Sequence, residues 1–147
     1  MFVLDTNVVS ELRKARAGKA DPHVMVWAAG VPATSMYVSV ITVLELELGV
    51  RLLERRDARQ GAVIRAWMDG QVMTAFAGRI LPIDTPVALE CARLHVPDPR
   101  AERDALIAAT ALVHRMTVVT RNVADFVSTG VAVLDPWAAS LNPRGEP

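Results

Sequence analysis

Four acids in this 147-residue chain stand where chemistry could use them. Asp5 closes the apolar run "FVL" at 2–4. Asp104 opens the Ala-rich stretch "AERDALIAATALVHR", and Asp125 follows Thr120, the last residue of "MTVVT", by five positions. A fourth acid is Glu45 or Glu47 in "TVLELELGVRLL". An acid at a strand end is ordinarily a cap or turn residue. Several at one sheet edge would repel one another and call for a compensating cation, and oxygen donors of this kind suit a hard divalent ion such as Mg²⁺ or Mn²⁺.

The elements that must carry these acids alternate in type. "FVL" (2–4), "MYVSV" (36–40), "RILPI" (79–83), "MTVVT" (116–120) and "VAVL" (131–134) read as strands. Between them the pattern is helical: from Asn7 to about Arg16; from Pro22, behind Asp21 as N-cap, to Gly30; and through "VLELELGVRLLERR", with Thr42 as its cap. Residues 57–79 read as a helix or helix pair with weak points at Gly61 and Gly70. A further helix starts at Thr85, an N-cap backed by Pro86. The Ala-rich stretch follows the "VPDPR" loop, and "RNVADF" reads as a polar loop. Such alternation predicts an α/β fold: a central, mostly parallel sheet flanked by helices on both faces. Ligands then lie beyond the carboxyl ends of the strands, which is where Asp5 and Asp125 fall.

Periodicity does not choose between Glu45 and Glu47. Two positions apart, they face opposite ways, and the helix has two apolar stripes: Leu44, Leu48 and Leu52, and Leu46, Val50 and Leu53.

The whole chain bounds the alternatives. It is 52% hydrophobic and 22% charged, a globular composition, with 16 basic residues balancing 16 acidic ones. Zero net charge argues against a general electrostatic grip on nucleic acid. Cys91 is the single cysteine, which excludes an internal disulfide and fits a reducing compartment. No basic region precedes an apolar run at the N-terminus, so no signal peptide is predicted and the expected location is cytoplasmic. Residues 22–44 lack Asp, Glu, Lys and Arg, but Gly30, Pro32 and several hydroxyl residues make helix, turn and strand the better reading.

Other polar residues take the ordinary reading. Asp84, Asp98 and Asp135 stand beside prolines or helix starts and are taken as structural. Glu54 and Asp57 among Arg51, Arg55, Arg56 and Arg59 read as a solvated helix face. His23, His95 and His114 show no metal-ligand spacing, and Trp27 and Trp67 read as packing residues.

Together, "LDTNVVSEL" (4–12), "SVITVLELELGV" (39–50) and "ERDALIAATALVHRMTVVTRNVADF" (102–126), in that order, resemble the PIN-domain ribonuclease toxins of the VapC and FitB type, from type II toxin–antitoxin systems. The resemblance implies one PIN domain over residues 1–140, with a short tail at 141–147. It further implies acids that bind Mg²⁺ or Mn²⁺ and cleave RNA, and a cognate antitoxin partner. Carried over by position, the catalytic acids are Asp5, Glu45 (with Gly49 four residues on), Asp104 and Asp125. Asp5, Asp104 and Asp125 are the implied metal ligands. Thr6, Asn7, Thr120 and Asn122 fall where the family keeps supporting polar residues, with Thr120 and Asn122 expected to hydrogen-bond the carboxylates. Apart from the resemblance, Arg103 and Arg121 are nearby candidates to meet a substrate phosphate. One departure is "HRMT" at 114–117, where many relatives turn on a glycine.

The apolar helices exceed what one small sheet needs to cover itself. Some are therefore expected to be buried in a homodimer or against an antitoxin peptide. Two other readings compete. An aspartyl-phosphate phosphatase would want a second Asp two positions after Asp5, where this chain has Asn7. A non-catalytic PIN-like domain, acting through protein contacts alone, would be signalled by loss of acids, and all four are present.

Overall fold

The structure, a computed structural model, describes residues 1–138. The expected tail at 141–147, Pro143 within it and the last two residues of the expected domain lie outside that range. Five short strands form one sheet: β1 (Phe2–Leu4), β2 (Met36–Ser39), β3 (Ile80–Leu81), β4 (Thr117–Val119) and β5 (Val133–Leu134), in the order β3-β2-β1-β4-β5. Every pairing is parallel, so the sheet is wholly rather than mostly parallel. From β1 the chain steps first to β2 on one side and later to β4 on the other. That reversal leaves a crevice beyond the carboxyl ends of β1 and β4.

The two faces of the sheet hold two cores, as strand alternation requires. Val3 and Val118 pack with Val87, Cys91, Leu94, Ile107 and Phe126 on one face. Leu4 and Val119 pack with Val8, Leu46, Val50, Met68 and Val72 on the other. The first face is covered by α6 (Thr85–Leu94) and α7 (Glu102–His114). The second is covered by α1 (Thr6–Arg13), α3 (Val40–Arg56) and α4 (Ala58–Trp67), the last running on through a π-helical turn at Met68–Val72 into α5 (Met73–Ala75). α2 (Pro22–Ala29) is capped by Asp21 as its Asp-Pro start demands. α7 owes its depth to size: Ala105, Ala108, Ala109 and Ala111 are all fully buried, and such small side chains let the helix lie close under the sheet.

Several element starts differ from the sequence expectation. Ser39, not Thr42, caps α3 by accepting from the Ile41 amide at 3.0 Å, while Thr42 is buried one turn inside the helix. Asp84, not Thr85, caps α6 through the Val87 amide at 3.1 Å. The "RNVADF" segment is not all loop: Ala124–Val127 form a short helix, α8, that buries Phe126 completely. On α3 the two apolar stripes part company. Leu46 and Val50 are buried, whereas Leu44, Leu48 and Leu52 remain 40–59% exposed.

Gly61, a weak point by propensity, is where α4 crosses α3. A Cβ there would lie 2.5 Å from Glu54 Cα, a backbone atom with no freedom to move aside. Gly61→Ala is expected to destabilise the protein by about 2 kcal/mol, overpacking outweighing the roughly 1 kcal/mol that Ala gains in helix propensity. Urea unfolding measures it; equal or greater stability would remove the close crossing as the reason for glycine.

The turn after α7 explains the missing family glycine. Arg115 caps the helix at φ 56°, a left-handed position where glycine is usual. Arg115→Gly is expected to stabilise by about 0.5–1 kcal/mol, relief of left-handed strain less the added freedom of the unfolded chain. A lower melting temperature would contradict it.

Candidate active site

Asp5 emerges from β1 in the crevice between β1 and β4, 6% exposed. Both its carboxylate oxygens are held. Oδ1 accepts from the Thr6 backbone amide at 2.8 Å; Oδ2 accepts from the Thr120 hydroxyl at 2.8 Å and from the Asn7 amide at 3.3 Å. Asp5 is thus the N-cap of α1 as well as a carboxylate facing the crevice. The cap and the site, rival readings of a strand-end acid, are here one residue.

The neighbours form a closed network. Asn7 Nδ2 also reaches Thr120 Oγ1 at 3.3 Å, and Asn7 Oδ1 accepts from the Arg121 backbone amide at 3.3 Å. The Thr120 hydroxyl accepts from the Asn122 amide at 3.0 Å. Asn122 therefore contributes through its main chain, its carbonyl accepting from the Asp125 amide at 3.0 Å, and not by the side-chain bond to a carboxylate expected of it. Thr6 turns its hydroxyl to Glu45, 2.8 Å to Oε1, with Thr42 Oγ1 at 3.3 Å. Arg103 Nη1 stands 3.7 Å from Glu45 Oε2.

The choice between the two glutamates is visible here. Glu47 lies against α4, where Arg65 bonds it at 2.6 and 2.8 Å and Arg51 at 2.7 Å. Arg65 also reaches Glu54 at 2.9 Å and Asp69 at 3.4 Å, so one guanidinium joins α3 to α4. The Arg65 bond, more than Arg51, pulls the Glu47 carboxyl down to about 2. Asp57 does not belong to that face; it caps α4 by accepting from the Gln60 amide.

Electrostatics tie the four acids together. Burial raises the Asp5 carboxyl above its ordinary value near 3.8; hydrogen bonds from Thr120 and Thr6 oppose the rise, and the charges of Glu45 and Asp125 add to it. Burial also raises Asp104, followed by the charges of Asp5, Asp125 and Glu45. The structure thus brings all four carboxylates within reach of one another's fields at a single sheet edge. They do not crowd as closely as ligands of one ion: no three of them bring oxygens within 4.8 Å of one another. Like charges in a half-buried crevice are expected to spread. An all-oxygen donor set, disfavoured as bare charges, fits a hard divalent cation.

Among the described residues, the one trio that does come within 4.8 Å is Cys91, His95 and Glu102, a cluster the sequence reading missed by taking His95 alone. Cys91 on α6 and His95, the residue at its C-cap, are one turn apart, a spacing that could have flagged them. The chemistry there is different. His95 Nδ1 accepts from the Arg100 amide at 3.0 Å, which puts the ring proton on Nε2. Nε2 lies 3.2 Å from Glu102 Oε2 without the alignment of a hydrogen bond, and it has no lone pair left for a metal. Burial raises the Cys91 thiol, away from the thiolate a metal needs. What holds this region is the His95 Nδ1 bond to the Arg100 amide rather than the trio. With Arg100 bonded to Leu94 O at 2.7 Å and Ser128 Oγ at 2.6 Å, that bond fixes the loop from which α7 delivers Asp104.

A five-stranded parallel sheet, helices on both faces and a carboxylate crevice at the topological switch point define the class: open, parallel α/β proteins whose ligand site lies beyond the carboxyl ends of the strands. The chain belongs to the PIN domain family, whose model matches residues 2–130. It is 38% identical over 143 residues to Toxin FitB of Neisseria gonorrhoeae, an alignment covering 93% of this chain and 99% of that one. It is 34% identical over 142 residues to VapC ribonuclease Y4jK of Sinorhizobium fredii, covering 93% and 98%. Among solved structures, FitAB bound to a DNA fragment superposes with a TM-score of 0.85 at 37% identity, covering 97% of this chain and 99% of that one. The fold and the family expected from the sequence are those found. PIN-domain ribonucleases as a family depend on divalent metal, which agrees with the donor set here.

Proposed function

We propose that this protein is a Mg²⁺- or Mn²⁺-dependent endoribonuclease, the toxin of a toxin–antitoxin pair, acting in the cytoplasm. The observation that carries the reading is the buried Asp5 at the switch point, both oxygens held by hydrogen bonds, with Glu45, Asp104 and Asp125 acting on it or on one another through their charges. Likeness to proteins named as ribonuclease and as toxin supports the substrate and the role.

In this proposal Asp5, Asp104 and Asp125 hold the metal, which when bound supplies Lewis-acid stabilisation and a more acidic water. The chain's own residues do the rest. The Thr6 amide, the Thr120 hydroxyl and the Asn7 side chain orient Asp5, and the acceptor site these three leave open is the one it would offer the metal. The Thr6 hydroxyl fixes Glu45 Oε1, and Oε2, which faces Arg103 at 3.7 Å without a hydrogen bond, is the oxygen that would align the attacking water and take its proton. Asn7 ties β1, α1 and β4 into one rigid edge, the preorganisation that phosphodiester cleavage relies on.

The partners follow from exposed apolar surface. A groove of about 340 Å³, lined by Val9, Leu12, Met36, Trp67, Val72 and Phe76 and edged by Arg13, Arg16 and Arg79, is assigned to the antitoxin. The exposed Leu44, Leu48 and Leu52 stripe of α3 is assigned to a homodimer. No helix among the described residues is long and apolar enough to cross a membrane.

The test is calorimetric titration of Mn²⁺ into metal-free protein, followed by cleavage of a labelled single-stranded RNA, with Asp104→Asn alongside. Expected are binding and cleavage in the native chain, and loss of both in a folded Asp104→Asn protein. Metal-independent cleavage, or full activity in the variant, would overturn the assignment.

A further inference from the structure

We propose that Arg121, held over the ring of Trp137, is the residue that seats an RNA phosphate beside the acids. This rests on the ribonuclease reading above and adds to it the group that offsets the site's own charge. Four carboxylates at one sheet edge repel a phosphodiester, and a chain with no net charge has no general basic surface to compensate. A bound divalent cation offsets part of that charge, and individual arginines are left to offset the rest.

Two arginines stand at the crevice, and the structure separates them. Arg103, on α7, is turned toward Glu45 at 3.7 Å and is already engaged with a carboxylate. Arg121 follows Thr120, and its backbone amide is bonded to Asn7, one step from the hydrogen bonds that hold Asp5. Its side chain is exposed and has no carboxylate partner among the described residues. Its guanidinium carbon instead lies 5.4 Å from the centre of the Trp137 ring.

Trp137 is itself anchored. β5 runs parallel beside β4, so the chain leaving β5 emerges at the same sheet edge as the acids. The Trp137 amide donates to Asp135 Oδ1 at 2.9 Å, and the side chain packs against the core that contains Leu4 and Val119. A guanidinium held by a ring face is ordered in advance and keeps N–H donors for a bidentate grip on phosphate oxygens. Arg121 thus has position, charge, freedom from acids and a rigid support.

The test is binding of a fluorescein-labelled single-stranded RNA by anisotropy at several salt concentrations, with cleavage in Mn²⁺ measured alongside. Arg121→Ala is expected to weaken binding roughly 10- to 100-fold and to flatten the salt dependence by about one phosphate contact. Trp137→Leu, which keeps the arginine but removes its support, should weaken binding about 2- to 5-fold. If that variant is poorly folded, Trp137→Met, which fills the space without a ring face, replaces it. Arg115→Asn, which removes one positive charge at the far end of α7, should leave affinity and salt slope unchanged. Unaltered affinity and slope in a folded Arg121→Ala protein, while the native chain still cleaves RNA, would overturn this inference and leave the ribonuclease reading standing. A native chain that neither binds nor cleaves RNA in Mn²⁺ would overturn both. Equal losses in Arg121→Ala and Arg115→Asn would show bulk charge rather than a seated phosphate, and would also overturn it.

Discussion

Asp5→Asn is expected to reduce RNA cleavage by on the order of 10³-fold, because metal-assisted charge stabilisation is worth several kcal/mol and each ~1.4 kcal/mol is tenfold in rate. The same change is expected to raise the melting temperature of the metal-free chain. The native carboxylate is buried and its pKa is raised, so the fold holds its charge at a cost. Asparagine has nearly the same shape and still offers an oxygen to the Thr6 amide; it gives up the bonds that Oδ2 accepts from Thr120 and Asn7, a smaller loss than the buried charge it removes. Opposite signs for activity and stability separate a functional carboxylate from a structural one. A cap residue alone would lose stability on neutralisation and leave cleavage intact. Wild-type cleavage by a folded Asp5→Asn protein would sink the assignment of Asp5.

The second large effect is the joint dependence of stability on pH and metal. Asp5 and Asp104 both have folded-state values raised above about 3.8. Below that pH each is protonated in folded and unfolded chains alike and contributes nothing. As pH rises through the interval up to the raised values, the unfolded chain releases its protons first, so stability falls and the loss persists at neutral pH. Glu47 works the other way. Held down to about 2 by Arg65, it contributes stability above about 4.5 that fades as pH falls. In EDTA the melting temperature should therefore peak in mild acid and decline toward neutrality. Mn²⁺ should restore the neutral side, by about 2.7 kcal/mol at 100 times its dissociation constant, and should do little once the acids are protonated. Melting curves across pH, in EDTA and in Mn²⁺, measure this. A metal increment that stays constant down to acid pH, or survives in Asp5→Asn and Asp104→Asn proteins, would place the cation elsewhere.

The chain shows which of its features are written locally. Strands and helices alternate legibly because each obeys its own period, and that alternation is enough to place Asp5 and Asp125 at the carboxyl edge of a parallel sheet. The uncharged, small-residue run after Asp104 likewise announces a helix that can be buried whole. Caps were harder. Thr42 looked like a start signal and lies inside α3, because Ser39, three residues earlier, reached the Ile41 amide first. A hydroxyl residue before a helix is a competent cap at more than one position, and the strand's exit angle decides between them.

Other decisions needed the partner across the fold. Periodicity treats Glu45 and Glu47 alike. Thr6 on α1 draws one toward the crevice and Arg65 on α4 draws the other away, from 39 and 18 positions distant in sequence. His95 reads as a surface or packing histidine until Glu102 and the Arg100 amide are set around it. Arg121 is one of 14 arginines until Trp137 is laid beneath it. The sequence by itself determined the class of fold, the edge where the acids gather and the kind of ion they suit, since these follow from residue type and local period. Only the tertiary structure decided which glutamate faces Thr6, which hydroxyl caps and which of the two crevice arginines has no acid partner among the described residues, because those depend on contacts between segments that no local pattern encodes.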